Sequence, residues 1–149
     1  MDIMNKARVK SPWVLHFNCG SCNGCDIEIL AALTPRFDVE RFGAINIGNP
    51  KQADVLLVTG PANKRNFRVL KNLYDQMPET KVVIVVGSCG STGGVFYNCP
   101  NVLGGVDKVV PVDVYVPGCA ARPEQIIDGF ILGLQKLAEK GKKRVEGKK

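Results

Sequence analysis

Four short apolar runs, each followed by a loop and most by a stretch of helical spacing, constrain this chain more than any other feature. The runs are Trp13-Val14-Leu15-His16-Phe17, Ala53-Asp54-Val55-Leu56-Leu57-Val58-Thr59, Lys81-Val82-Val83-Ile84-Val85-Val86-Gly87 and residues 109–116, with Pro111 near the start of the last. Near-continuous apolar, β-branched character marks strands covered on both faces. Between and after them, apolar residues recur at helical spacing: Ile29, Leu30 and Leu33 before Pro35, then Phe67, Leu70, Leu73, Tyr74 and Met77, and last Ile126, Ile127, Phe130, Ile131, Leu134 and Leu137 behind Pro123. Buried strands alternating with helices predict an α/β fold of the flavodoxin-like kind, an open parallel sheet with helices on both faces. Phe37-Asp38-Val39-Glu40-Arg41-Phe42 alternates apolar with charged residues and is expected to be an edge strand with one wet side.

At 149 residues, 45% of them hydrophobic and 23% charged, one compact domain is expected. It spans 11–138, with an N-terminal extension over 1–10 and a basic C-terminal tail over 139–149. The net charge of +6 sits largely at the two ends, so nucleic acid is not an expected partner and the tail reads as a solvated, frayed end. No apolar segment approaches the ~20 residues that span a bilayer. The start lacks the apolar core of a signal peptide, so the six cysteines are expected to be reduced, cytoplasmic thiols open to metal rather than a disulfide framework.

Those cysteines fall where such a fold gathers ligands. Asn18-Cys19-Gly20-Ser21-Cys22-Asn23-Gly24-Cys25-Asp26 follows the first run, Gly87-Ser88-Cys89-Gly90 the third and Pro117-Gly118-Cys119-Ala120 the fourth. In a parallel α/β sheet the loops after the strands emerge together at the carboxyl edge. Cys89, Cys119 and two of the first three cysteines would therefore meet there, in a glycine-rich setting suited to the four thiolates of an iron–sulfur cluster. Spacing alone leaves the pair open, because Cys19 and Cys22 are separated as Cys22 and Cys25 are. Cys99 follows no strand and is taken as structural or incidental. His16, alone inside a strand, reads as a core or interface residue rather than a ligand. A zinc-bearing interaction module is an alternative of another class, although zinc ribbons usually supply two Cys-x-x-Cys pairs. An FMN carrier would need a Ser/Thr-rich phosphate cradle that neither Thr59-Gly60-Pro61 nor the first loop offers.

Cys22-Asn23-Gly24-Cys25-Asp26-Ile27-Glu28, Gly87-Ser88-Cys89-Gly90-Ser91-Thr92-Gly93-Gly94 and Val116-Pro117-Gly118-Cys119-Ala120-Ala121-Arg122-Pro123-Glu124, in this order, resemble the small subunit of NiFe hydrogenases. The likeness runs from Ser11 to about Leu137 and is greatest to the membrane-bound, energy-converting group, which shares ancestry with the complex I subunit lying next to the quinone. The resemblance implies one proximal 4Fe-4S cluster held by Cys22, Cys25, Cys89 and Cys119. It implies three kinds of partner: a catalytic large subunit, a ferredoxin-like polyferredoxin subunit, and membrane ion-translocating subunits. They would hold the chain peripherally on the cytoplasmic side of the cell membrane. Electrons from the ferredoxin-like subunit would pass through the cluster for proton reduction to hydrogen, or, in relatives, for reduction of sulfur compounds or quinone. Glu28, three residues beyond Cys25 in a helix's first turn, is a candidate for a proton path, with simple helix-dipole stabilisation as the plainer reading.

Overall fold

The structure, a computed structural model, describes residues 3–146. In chain order the elements are α1 (Ile3–Lys10), β1 (Trp13–Asn18), α2 (Gly24–Leu33), β2 (Ile45–Asn46), β3 (Val55–Thr59), β4 (Ala62–Asn63), α3 (Phe67–Gln76), β5 (Val82–Val86), α4 (Ser88–Thr92), β6 (Val102–Gly104), β7 (Val114–Val116) and α5 (Pro123–Glu146). The five-stranded sheet is parallel throughout, in the order β2-β1-β3-β5-β7. This is the flavodoxin-like order, and it reverses between β1 and β3. A small antiparallel pair, β4 with β6, stands apart.

Strand alternation divides the core in two. Val14, Val55, Leu57, Val82, Ile84, Val86, Val114 and Val116 face α2 and α5, meeting Ile29, Ile126, Phe130 and Leu137. Leu15, Leu56, Val58, Val83 and Val85 face the other way, toward Leu70 of α3, Met77 just after it and the segment holding Val106 and Val110. β3 and β5 are buried along their whole lengths, so both faces must be apolar, which explains their Val/Leu/Ile composition up to Thr59, the last residue of β3. At about 25 cal/mol per Å² of apolar surface, each such side chain contributes about 1.5–3 kcal/mol before the entropy of ordering it.

Three segments differ from the sequence expectation. Val39–Phe42 is a 3-10 turn rather than an edge strand, and the edge belongs to Ile45–Asn46, paired in parallel to Trp13 and Val14. Asp38 and Gly43 bracket that turn at φ 50° and 81°, and the Asp38 carboxylate meets Arg41 one turn on at 3.1 Å. The alternation of charges thus serves an i,i+3 pair and not a pleat. The last strand begins at Val114, not Val109: Val110 donates its N–H back to Val106 and is buried on the α3 face, and Pro111 offers no N–H to a ladder. Finally, α5 carries on past 138 as far as Glu146, so 139–146 are helical rather than frayed. Residues 147–149 of that segment lie outside the described residues, as do Met1 and Asp2 of the N-terminal extension, whose remainder forms α1 against α5.

Candidate metal centre

Three loops close on one another at the carboxyl edge of the sheet. After β1 the chain is tied down at once, with Cys19 N–H donating to the Thr59 carbonyl at 2.8 Å. After β5, Gly87 N–H donates to the Val116 carbonyl and Ser88 N–H to the Gly118 carbonyl, both at 2.8 Å, with the Ser88 hydroxyl adding a second bond to Gly118 at 3.1 Å. These bonds stitch the Cys89 loop to the Cys119 loop.

Cys25 lies in the first turn of α2 and Cys89 in that of α4, while Cys22 and Cys119 are in exposed loops. Burial is the main cause that pushes the Cys25 thiol up, and nearby Cys22, Asp26 and Cys119 push the same way. Burial also leads at Cys89, followed by Cys119, Cys22 and Cys25. Cys22 and Cys119 are therefore close enough to act on both Cys25 and Cys89, and no basic side chain is among the charges acting on those two thiols. Two backbone N–H groups do point at sulfur: Ala121 at Cys25 and Val95 at Cys89. Gly87, at φ +88°, could carry no side chain, because a Cβ there would lie 2.5 Å from the Cys25 sulfur.

The other sulfurs stand apart. Cys19 is fully buried among Leu15, Leu56 and Leu70 on the α3 face, its thiol pushed up chiefly by that burial, and Cys99 is exposed in a turn. The two open spacings thus differ in what the fold does with them: it sends Cys19 into the core and Cys22 and Cys25 to the edge.

The donor set suits a cluster. A tetrahedral zinc needs thiolates about 2.3 Å from one ion, and among the described residues no three His, Cys, Asp or Glu side chains are gathered to hold a single ion. A cubane sets a separate iron against each thiolate and accepts a wider ring. N–H groups directed at sulfur, with glycine in place of bulk, are the surroundings that such clusters use to set their potential.

Beside the ring lies a polar network that sequence reasoning does not assemble. Both Asp26 oxygens are engaged: Oδ1 by the Thr59 hydroxyl at 2.6 Å and His16 Nε2 at 2.8 Å, Oδ2 by Asn18 Nδ2 at 2.8 Å and by the Ser21 hydroxyl. Burial raises the Asp26 carboxyl, but Ser21, Thr59 and His16 together outweigh it and hold it below the usual carboxylate range. Thr59, a fully buried hydroxyl closing an aliphatic strand, is the signal that the sequence offers. His16 serves this network as a partner of Asp26. Glu28, half-buried, is the fifth residue of α2 and so lies one turn in rather than in the first turn expected from sequence, because the helix starts at Gly24; it has no side-chain partner among the described residues.

The sequence pattern described as NADH ubiquinone oxidoreductase, 20 Kd subunit, matches residues 22–132 of the chain. The chain belongs to that family. The match opens at Cys22, takes in Cys25, Cys89 and Cys119, and leaves Cys19 outside. Within the 20 kDa subunit family the chain is similar to the probable membrane-bound hydrogenase subunit mbhJ of Pyrococcus furiosus, at 54% identity over 87% of this chain and 78% of the relative. It is 48% identical to an NADH-quinone oxidoreductase subunit of Flavobacterium johnsoniae, over 93% of this chain and 74% of that protein. Among solved structures, a chain of the membrane-bound sulfane sulfur reductase, an archaeal respiratory membrane complex, superposes with a TM-score of 0.75 at 37% identity, covering 92% of this chain and 73% of that one. An NAD+-reducing [NiFe]-hydrogenase chain shares the fold, with a TM-score of 0.61 at 18% identity over 76% of this chain and 85% of its own length. Among the described residues no helix is long and apolar enough to cross a membrane.

Proposed function

We propose that this 20 kDa-family chain is the electron-transfer small subunit of a membrane-bound respiratory complex of the NiFe-hydrogenase type, holding one 4Fe-4S cluster through Cys22, Cys25, Cys89 and Cys119. The observation that supports this reading is the convergence of the Cys22, Cys25, Cys89 and Cys119 loops at one sheet edge, stitched together by backbone bonds, where the charges acting on Cys25 and Cys89 come from the other cysteines and Asp26 and none from a basic side chain. The missing positive charge is what iron would bring. When bound, the cluster would accept and pass on single electrons at a potential set by its surroundings. The chain's own part is to hold the four thiolates, to direct the Ala121 and Val95 N–H groups at sulfur, and to shield Cys25 from water.

In this reading the electrons arrive from a ferredoxin-like subunit and leave to a catalytic large subunit that reduces protons to hydrogen. Membrane partners couple the energy to ion translocation and hold the chain at the cytoplasmic face. The 54% identity to a membrane-bound hydrogenase subunit favours this assignment. The likeness to the sulfane sulfur reductase favours a second reading, the same relay serving sulfur-compound reduction. Glu28 is proposed as a proton-path residue, and unchanged hydrogen evolution in Glu28→Gln would dispose of that role.

The test of the main reading is anaerobic purification of the full chain. It should be brown, with about four irons and four sulfides per chain and visible absorption that bleaches on reduction. A colourless protein with stoichiometric zinc would overturn it.

A further inference from the structure

The Asp26 carboxylate is too well supplied with donors to be an ordinary first-turn acid. It occupies the third position of α2, where a capping carboxylate reaches back to the backbone N–H of the residue before the helix. Here that N–H, on Asn23, goes instead to the Ser21 hydroxyl at 3.1 Å. All four donors to Asp26 come from outside α2: His16 and Asn18 from β1, Ser21 from the cysteine loop and Thr59 from the end of β3. Asn18 extends the hold, its Oδ1 accepting the N–H groups of Gly20 at 2.7 Å and Ser21 at 2.8 Å. Cys22 and Cys25 lie between Ser21 and Asp26, so both ends of their loop are fixed to the two strands where the sheet order reverses.

We infer that Asp26 is the positioning residue of this centre, a four-donor anchor that fixes Cys22 and Cys25 relative to the sheet through Asn18, Ser21, His16 and Thr59. The inference rests on the cluster assignment proposed above and adds to it a residue that touches no iron. A carboxylate taken out of water is tolerated when its lone pairs are filled by well-directed donors, and the same bonds make it rigid. A loop held in this way offers its sulfurs already placed, so less order has to be imposed when metal binds. Groups that orient metal ligands in other proteins change metal retention by about 10–100-fold when removed.

The test compares the full wild-type chain, carrying its cluster, with Asp26→Ala, Asp26→Asn, Thr59→Val and Thr59→Ser. Two quantities are read: the rate at which an iron chelator bleaches the visible absorption, and the thermal midpoint of each apo chain. Asp26→Ala should lose its cluster about 10–100-fold faster than wild type. Thr59→Val, which keeps the shape and deletes one donor, should also lose it faster, while Thr59→Ser, which restores the hydroxyl, should hold it as wild type does. Asp26→Asn, keeping the shape but only one acceptor oxygen, should fall between, with an altered electron paramagnetic resonance signature in the reduced state. Should Asp26→Ala fail to fold, the Thr59→Val and Thr59→Ser pair decides. If the variants lower the apo midpoint but release iron no faster, Asp26 serves the fold alone and the inference falls while the cluster stands. A wild-type chain that takes up no iron removes both.

Discussion

The two edges of one sheet use their polar groups in opposite ways. At the amino edge the carboxylates before the strands meet cations from the terminal helices: Asp54 pairs with Arg8 at 3.4 Å, Asp113 with Lys140 at 2.7 Å, and Glu79 with Arg144 at 3.2 Å. Asp113 also takes the Val83 N–H at 2.9 Å, while Lys140 reaches the Lys81 carbonyl at 3.0 Å. That edge is complete in itself. At the carboxyl edge the neighbouring charges that act on Cys25 and Cys89 all disfavour a further thiolate. The difference teaches where to look for a missing partner: the edge whose charges do not cancel within the chain.

The largest effect should come from the carboxyl edge. Cys89→Ser or Cys119→Ser should remove most of the bound iron while leaving far-ultraviolet circular dichroism unchanged, since neither thiol belongs to the buried core. Loss of helical signal would mean that the two edges are not independent. Next, Gly133→Val should destabilise the chain by about 1–3 kcal/mol in urea, because a Cβ there lies 2.6 Å from Ile84 and forces α5 off the sheet. It tests the link between the edges, α5 itself, which starts beyond Cys119 and ends at the amino-edge ion pairs.

Asp113→Ala should cost about 1–3 kcal/mol, since it leaves the Val83 N–H unpaired beside a buried strand. Lys140→Met removes only a partly exposed cation and should cost no more than about 1 kcal/mol, shrinking with added salt. Equal losses would show that the charge, not the strand N–H, is what Asp113 is there for. The smallest effect concerns pH. Burial holds the Asp54 carboxyl above its ordinary range, despite the Trp13 N–H and Arg8. The folded chain therefore binds that proton more tightly than the unfolded one, whose value is near 3.9. The stabilisation is present in full below that value and is lost as pH rises through the raised one. Urea midpoints of wild type should fall relative to Asp54→Asn over that interval, and a gap moving the other way would break the account.

Much of this is legible in the chain. Buried parallel strands announce themselves by unbroken β-branched runs, and Val82–Val86 could hardly be anything else. Loops after strands share an edge, so Cys89, Cys119 and two of Cys19, Cys22 and Cys25 can be gathered from the order of the elements, while the choice of Cys22 and Cys25 rests on the resemblance. Legibility fails where sequence period and tertiary need part company. Residues 37–42 alternate like a strand, yet two left-handed residues curl them into a turn. Lys140 and Arg144 look like a solvated tail until α5 is seen to carry them to Asp113 and Glu79. The Asp26 anchor is hidden for another reason, as its donors come from positions 16, 18, 21 and 59, with no local signature to join them.

The sheet's outermost strands matter to the chain before it joins any complex. They are only two and three residues long, Ile45–Asn46 and Val114–Val116. So short a border exposes few unpaired amides, too few to recruit a foreign strand. A newly made copy thus offers little sheet edge on which an aggregate could start.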